Sequence, residues 1–290
     1  MAKIICLGSL NLDHVYQLPH ALRDGETMTS LSYRVTCGGK GGNQSIAAAR
    51  SGAEVLHAGQ IGNDGDMLRR NLEVSGVDVR LLECGNVPTG HAVVLVNDQG
   101  GNSIVLFPGA NRSLSDSYIR RVIEAGAPGD ILLMQNETNQ LETAMRLGKQ
   151  AGLKIAFNFA PFNHDCQLPL ELVDYLFLNE VEGEGLSGER APEAMAEVLK
   201  KRYPDTLTVI TYGSEGAYCE NLHVRPPKVD AVDTTAAGDT FIGYFLNEML
   251  KGTAIEAALA FACHAAALCV CRSGAAESIP SYREVLSFQD

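Results

Sequence analysis

The chain has 290 residues, 46% of them apolar, and carries 23 Lys and Arg against 35 Asp and Glu, a net charge of −12. That apolar content can bury a large core and excludes a disordered chain, while the length suits one α/β domain with a small appendage or two modest domains. The acidic balance excludes non-specific nucleic-acid binding, so an anionic ligand has to be held locally by backbone N–H groups, a few Lys or Arg, or a metal.

From Lys3 the sequence runs through apolar residues 4–7 to the polar Asn11 and Asp13, without a signal-peptide core or cleavage site. The longest apolar run, 257–271, is interrupted by His264 and is too short to span a bilayer. A cytoplasmic protein without a membrane partner is therefore expected. The eight cysteines are scattered and form no CxxC pair, which predicts reduced, mostly buried thiols. Cys263, His264, Cys269 and Cys271 lie in an alanine-rich segment that reads as a packed helix, not as zinc ligands.

Short apolar runs alternate with helical periodicity along the whole chain. Strands are predicted at 4–8, 55–59, 131–135, 154–158, 175–179 and 208–211, and helices at 43–50, 66–74, 116–125, 141–151, 192–201, 237–250 and 255–270. Gly52, Gly76, Gly126 and Gly152 fall just past four of these helices, where a left-handed cap is expected. No repeat, low-complexity tract or long linker interrupts residues 1–290, which read as one continuous fold. The alternation predicts an α/β, three-layer, doubly wound and mostly parallel sheet that binds ligands at the carboxyl ends of its strands. Residues 27–37 and 89–108 break the alternation, the second with a hairpin turn at Asp98, Gln99, Gly100 and Gly101. Such strands, within about 9–38 and 86–110, suit either a small β-sheet lid or an ordinary edge hairpin.

The polar motifs fall at the ends of these elements. Asn11 and Asp13 follow the first strand, where a carboxylate accepting from two neighbouring hydroxyls would suit a polyhydroxylated ligand and where turn residues are also common. The stretch Cys37, Gly38, Gly39, Lys40, Gly41, Gly42, Asn43 permits close backbone approach to a ligand beside a flexible cation, or serves as a structural turn; it lacks the spacing of a Walker A loop. Asn179 and Glu182 end a strand and either position a hydrated Mg²⁺ or cap a helix. Gly183, Gly185 and Gly188 match G-x-G-x-x-G, but Glu182 and Glu184 would repel a pyrophosphate. Thr211, Gly213, Ser214 and Gly216 form a strand-to-turn segment suited to nucleotide phosphates. Most informative is the stretch from Asp233 to Thr240, in which small residues and a carboxylate begin an apolar helix. Helix N–H groups there form an anion site. Asp239 inside it is either the acceptor of a substrate hydroxyl proton in phosphoryl transfer or, like Asp233, a helix cap.

Together these segments resemble the ribokinase-like (phosphofructokinase-B) family of carbohydrate kinases. The match runs in order from Gly8, Ser9, Asn11 and Asp13, through Gly25 to Thr27, Gly38 to Gln44, Gly109 to Asn111, Glu137, Asn179 to Glu182 and Thr211 to Gly216, to Asp233 to Phe241 and Gly274 to Pro280. The resemblance implies an ATP-dependent kinase acting on the exocyclic hydroxymethyl of a furanose-like sugar. It makes Asp239 the catalytic base and Ala236, Ala237 and Gly238 the anion hole. Asn11, Asp13, Gly39, Lys40, Asn43 and Glu137 become the sugar contacts, and Asn179, Glu182, Thr211, Gly213, Ser214 and Gly216 serve ATP and the Mg²⁺ shell. A K⁺ loop falls on Asp233, Thr235, Cys269, Arg272, Gly274 and Ser278, partly through carbonyls.

The chain departs from the family pattern at Cys263, which with His264 stands where the adenine contact usually lies, at His91 and at Gly42. The implied acceptor is a pentose, D-ribose or a deoxyribose, with a nucleoside kinase or a non-catalytic sugar sensor as alternatives. A homodimer through the lid sheets is a further family expectation.

Overall fold

The computed structural model describes residues 2–99, 101–163 and 167–288. Gly100 of the predicted turn and Cys166 lie outside the described residues. In chain order the first half contains β1 (Ile4–Leu7), β2 (Asn11–Gln17), β3 (Ser32–Gly38), α1 (Lys40–Arg50), β4 (Val55–Ile61), α2 (Asp66–Val74), β5 (Asp78–Cys84), β6 (Gly90–Val96), β7 (Asn102–Phe107) and α3 (Asp116–Glu124). There follow β8 (Ile131–Gln135), α4 (Leu141–Gln150), β9 (Lys154–Asn158), β10 (Tyr175–Asn179), α5 (Glu180–Ser187), α6 (Pro192–Arg202), β11 (Leu207–Thr211), β12 (Ala217–Cys219), β13 (Leu222–Val224), α7 (Ala237–Lys251), α8 (Ile255–Val270) and α9 (Tyr282–Phe288).

Nine strands form one sheet in the order β13-β12-β11-β10-β9-β8-β1-β4-β5. Every pairing from β11 to β5 is parallel, and the β11–β12 and β12–β13 pairings are antiparallel. Alternate residues of β1 feed separate cores, as a strand buried on both faces requires. Ile4 and Cys6 pack with Phe241, Phe245 and Ala262 of α7 and α8, whereas Ile5 and Leu7 pack with Ile119 of α3 and Met145 of α4. Helices thus cover both faces, which gives the three-layer, doubly wound architecture. Chain order reverses at β1, which is flanked by β8 and β4, and ligands bind such sheets at this switch point.

The second sheet has the order β3-β2-β6-β7. Its strand β3 starts at Ser32, so residues 27–31 of the predicted strand lie outside it. Cross-strand partners share a face, so Asp13, Ala92 and Leu106 line up on one side, followed by Val15, Val94 and Ile104. Every residue of β7 is exposed, including Ile104, Val105, Leu106 and Phe107.

Two differences from the predicted elements matter for the site. Helix α1 begins at Lys40 instead of 43, which places Gly41 and Gly42 in its first turn. A Cβ on Gly41 would lie 2.5 Å from the backbone of Gly8 and Ser9, so glycine lets the helix start directly against the end of β1. The second is α5, which occupies the G-x-G-x-x-G stretch. Gly183 packs on Met195, Gly185 on the ring of Phe162, and Gly188 is a left-handed C-cap, so these glycines serve packing and helix termination.

Candidate active site

The carboxyl edge of the large sheet collects the predicted polar residues. Asn179 and Thr211 end β10 and β11, Asn11 follows β1, and Glu137 follows β8. At the centre is Asp239, 7% exposed in the first turn of α7. Its Oδ2 accepts from Asn43 Nδ2 at 3.0 Å and its Oδ1 from Gln44 Nε2 at 2.8 Å. These contacts depend on close packing of α1 and α7, in which a Cβ on Gly243 would lie 2.5 Å from the Ala48 backbone nitrogen. Gly243 is one turn beyond Asp239, so the same face that meets α1 carries the carboxylate.

Neither acid caps α7. Its N-cap is Ala236, in the left-handed region at φ 61°, with no side-chain cap, and Asp233 bonds elsewhere. A Cβ on Gly238 would meet nothing within 4 Å. Among the described residues no side chain caps the helix start: the Ala237 N–H donates to the Thr234 carbonyl at 3.3 Å, and the N–H groups of Gly238 and Asp239 that follow it are the ones open to an anion.

Toward β1 and β8 the side chains are tied to one another. Asn11 is buried and its Oδ1 accepts from Asn111 Nδ2 at 2.8 Å, while Asn111 also bonds the backbone N–H and carbonyl of Leu10. Glu137 accepts from the Ser9 hydroxyl and from the Lys40 backbone N–H at 3.3 Å. Gly39 has φ 94°, and a Cβ there would lie within 3 Å of the backbone of residues 9–11. The Asp13 carboxylate packs over Gly38, where a Cβ would fall 2.1 Å from its Oδ2. Burial, then the neighbouring Glu137, raises Asp13 to a pKa of about 7. Burial also raises Glu137, against the hydroxyl of Ser9 and the charge of Lys40. Burial opposes the charge of Lys40, yet the carboxylates of Asp239, Glu137 and Glu182 outweigh it and hold its pKa above the ordinary value.

On the other side of Asp239 opens a cavity of about 1010 Å³. Lys40, Asn179, Glu182, Thr211, Gly213, Ser214, Gly216, Ala236, Ala237, Gly238, Asp239 and Cys263 all line it. Gly216 has φ 101°, and a Cβ there would overlap the Val224 carbonyl at 2.1 Å, so the turn after β11 demands glycine. Asn179 and Glu182 form a reciprocal capping box on α5 and also line the cavity, so the capping role does not take them away from the ligand edge of the sheet. Glu182 is 4% exposed, and burial raises its pKa. Cys263 is a buried thiol pushed up to about 12 by desolvation.

A third cluster lies where the segment before α7 meets the end of α8. Asp233 accepts from the Thr235 N–H and hydroxyl at 2.9 and 2.6 Å and from the Gly274 N–H at 3.0 Å. These bonds, against a desolvation cost, hold its pKa below the ordinary value. The Cys269 thiol lies 3.0 Å from the Ser278 hydroxyl, which itself donates to the Ala275 carbonyl. Arg272 turns its guanidinium to Glu284 at 2.7 Å, leaving only its backbone to this loop.

The model of the pfkB family carbohydrate kinases matches residues 1–282. The chain belongs to that family. It is 36% identical to the ribokinase of Haemophilus influenzae over 97% of this chain and 96% of the relative. It is 32% identical to the deoxyribokinase of Salmonella typhi over 99% of each. The Arabidopsis thaliana ribokinase, solved with ribose and ATP, superposes with a TM-score of 0.89 at 29% identity, covering 99% of both chains.

Within this carbohydrate kinase three buried or partly buried contacts go to residues given no site role from the sequence: Gln44 on Asp239, Ser9 on Glu137, and Asn111 on Asn11. Ser9, Gln44 and Asn111 all lie inside the stretches that carry the family resemblance. The available signal was polarity within segments that the fold buries.

Proposed function

We propose that this kinase transfers the γ-phosphoryl group of ATP to the exocyclic hydroxymethyl of a pentose, D-ribose to ribose 5-phosphate or the deoxyribose equivalent. The observation that carries this reading is the position of Asp239. It stands between a set of interlinked hydrogen-bonding side chains and a large cavity that ends on a helix N-terminus without a side-chain cap. Relatives named ribokinase and deoxyribokinase, and a ribokinase solved with ribose and ATP, support the acceptor and the nucleotide.

In this reading Asn11, Asp13, Gly39, Lys40, Asn43 and Glu137 hold the sugar, whose adjacent hydroxyls suit paired carboxylate and amide acceptors. ATP occupies the cavity against Thr211, Gly213, Ser214, Gly216 and Cys263. Asp239 orients the acceptor hydroxyl and accepts its proton late, as a loose phosphoryl transition state allows. Lys40 and the N–H groups from Ala236 to Gly238 stabilise charge on the transferred group. The small sheet acts as a lid that excludes water, and its exposed apolar face is the surface for a homodimer.

The donor sets fit two cations. Glu182 and Asn179 present hard oxygen ligands to the cavity, suited to the water shell of Mg²⁺, which when bound would neutralise phosphate charge. Asp233 and the carbonyls of Thr235, Cys269, Arg272, Gly274 and Ser278 offer oxygen donors to K⁺, whereas the side chains of Cys269, Arg272 and Ser278 are engaged elsewhere. The test is a steady-state screen of ribose, 2-deoxyribose, fructose and nucleosides with MgATP, with and without K⁺. Turnover of the pentoses, stimulated by K⁺, is expected. Turnover confined to nucleosides would overturn the acceptor, and absence of any turnover would point to a sugar-sensing protein.

A further inference from the structure

Asp239 is held from behind by two fully buried glutamines. Gln44 and Gln135 are both 0% exposed, although neither touches the cavity. Gln44 donates from Nε2 to Asp239 Oδ1 at 2.8 Å, and its Oε1 accepts from Gln135 Nε2 at 2.7 Å. Gln135 Nε2 also lies 3.6 Å from the Cys6 thiol. At the far end Gln135 Oε1 has no hydrogen-bond partner among the described residues. It lies 2.4 Å from the place a Cβ on Gly8 would take, so the absence of a side chain at position 8 makes room for it.

The direction of this chain is set by Asp239. A carboxylate accepts and does not donate, so the Gln44 amide presents its NH₂ to Asp239 and its oxygen to Gln135. Gln135 must then present its own NH₂ to Gln44, which leaves its oxygen as the orphan. Reversing both amides would place the Gln44 oxygen against the carboxylate. A buried acceptor without a partner is costly, and the fold carries that cost in the one arrangement that aims a donor at Oδ1.

We propose that Gln44, locked by Gln135, is a positioning residue that reserves Oδ1 of Asp239 as an acceptor and directs the substrate proton to Oδ2. The inference rests on the reading of Asp239 as the base. A proton on Oδ1 would confront the Gln44 N–H. Oδ2 likewise accepts from Asn43 Nδ2 at 3.0 Å, but among the described residues no second buried side chain holds that amide as Gln135 holds Gln44, and the same reading turns Asn43 to the sugar, which frees Oδ2 for the proton. In the reaction the acceptor O–H bond breaks and its oxygen bonds the γ-phosphorus. The bond from that phosphorus to the β-γ bridging oxygen breaks to release ADP, and the proton passes to Asp239 Oδ2 before leaving to solvent.

The test is a double-mutant cycle on kcat, with each variant's fold checked by thermal melting. Gln44→Met should lower kcat by about 10–100-fold, the worth of a hydrogen bond to a charged group, while both KM values stay within about threefold. Gln135→Met should lower kcat by about 3–10-fold. Because Gln135 acts only through Gln44, the double variant should be no slower than Gln44→Met alone. Multiplying losses, or a kcat for Gln44→Met within twofold of wild type, would overturn the proposal. If Gln44→Met does not fold, Gln135→Met alone decides: a kcat loss without a KM change supports positioning, and an unchanged kcat refutes it. Asp239→Asn run in parallel separates the two readings. An inactive Asp239→Asn beside a fully active Gln44→Met removes only the role of Gln44, whereas an active Asp239→Asn removes the base assignment itself.

Discussion

The two sides of Asp239 are built from different materials. Toward β1 and β8 the groups are side chains already bonded to each other: Asn11 to Asn111, Glu137 to Ser9, and Asn43 and Gln44 to Asp239. Toward β10 and β11 an open cavity is edged by glycines, short side chains and a helix start without a side-chain cap. A network fixed before the ligand arrives favours one pattern of hydroxyls, because a wrong acceptor leaves buried polar groups unpaired. A surface of backbone groups grips phosphates by charge and shape and depends little on any single side chain. On the proposed reading, which puts the sugar toward β1 and β8 and ATP in the cavity, selectivity should therefore reside on the acceptor side, and tolerance to substitution on the nucleotide side.

Asp239 itself apart, the largest effect is expected where the two sides join. Lys40 lines the cavity and bonds Glu137 through its backbone N–H. Lys40→Met should lower kcat by about 10²–10³-fold, as loss of an electrostatic stabiliser does, and raise KM for both substrates in initial-rate assays. A change confined to the sugar KM would assign Lys40 to the acceptor side alone.

Asp13 sharpens the comparison through pH. Its folded-state pKa is raised from 3.8 to about 7, so the folded chain binds the extra proton more tightly than the unfolded chain does. Its contribution to stability is complete below about pH 4 and is lost as pH rises toward 7. Asp13→Asn should accordingly raise the melting temperature of the ligand-free protein, by more at pH 8 than at pH 5, while weakening the sugar KM by about 10-fold or more. Equal melting shifts at both pH values would mean that the Asp13 carboxylate is not strained by burial beside Glu137.

The smallest effect belongs to the nucleotide side. The neutral, buried Cys263 thiol lies 3.8 Å from the Val224 carbonyl, a weak contact. Cys263→Ala should leave the ATP KM within about threefold of wild type, since a weak donor is lost from a surface with many other contacts. A tenfold rise would show that single side chains matter as much there as on the acceptor side.

What the sequence disclosed divides along the same line. The parallel strands were legible because burial on both faces leaves short apolar runs such as Ile131–Gln135 and Tyr175–Asn179. Strand β5 escaped because Arg80 and Glu83 break its pattern, and β12 and β13 because three residues carry no period. Helix α5 was hidden by its glycines, whose low propensity the capping box and packing on Met195 override. Backbone-built features near one helix start, such as Ala236 to Asp239, could be read locally. The bond from Gln44 to Asp239 could not, because it joins residues 195 apart and exists only where Gly243 lets α7 close on α1.

The central claim is that Asp239 takes the acceptor proton while neighbouring groups hold the sugar. The most direct measurement is the steady-state kcat of Asp239→Asn with ribose and MgATP, in protein shown by melting to be folded. Loss of a general base predicts a fall of about 10³-fold or more. A kcat within tenfold of wild type would contradict it.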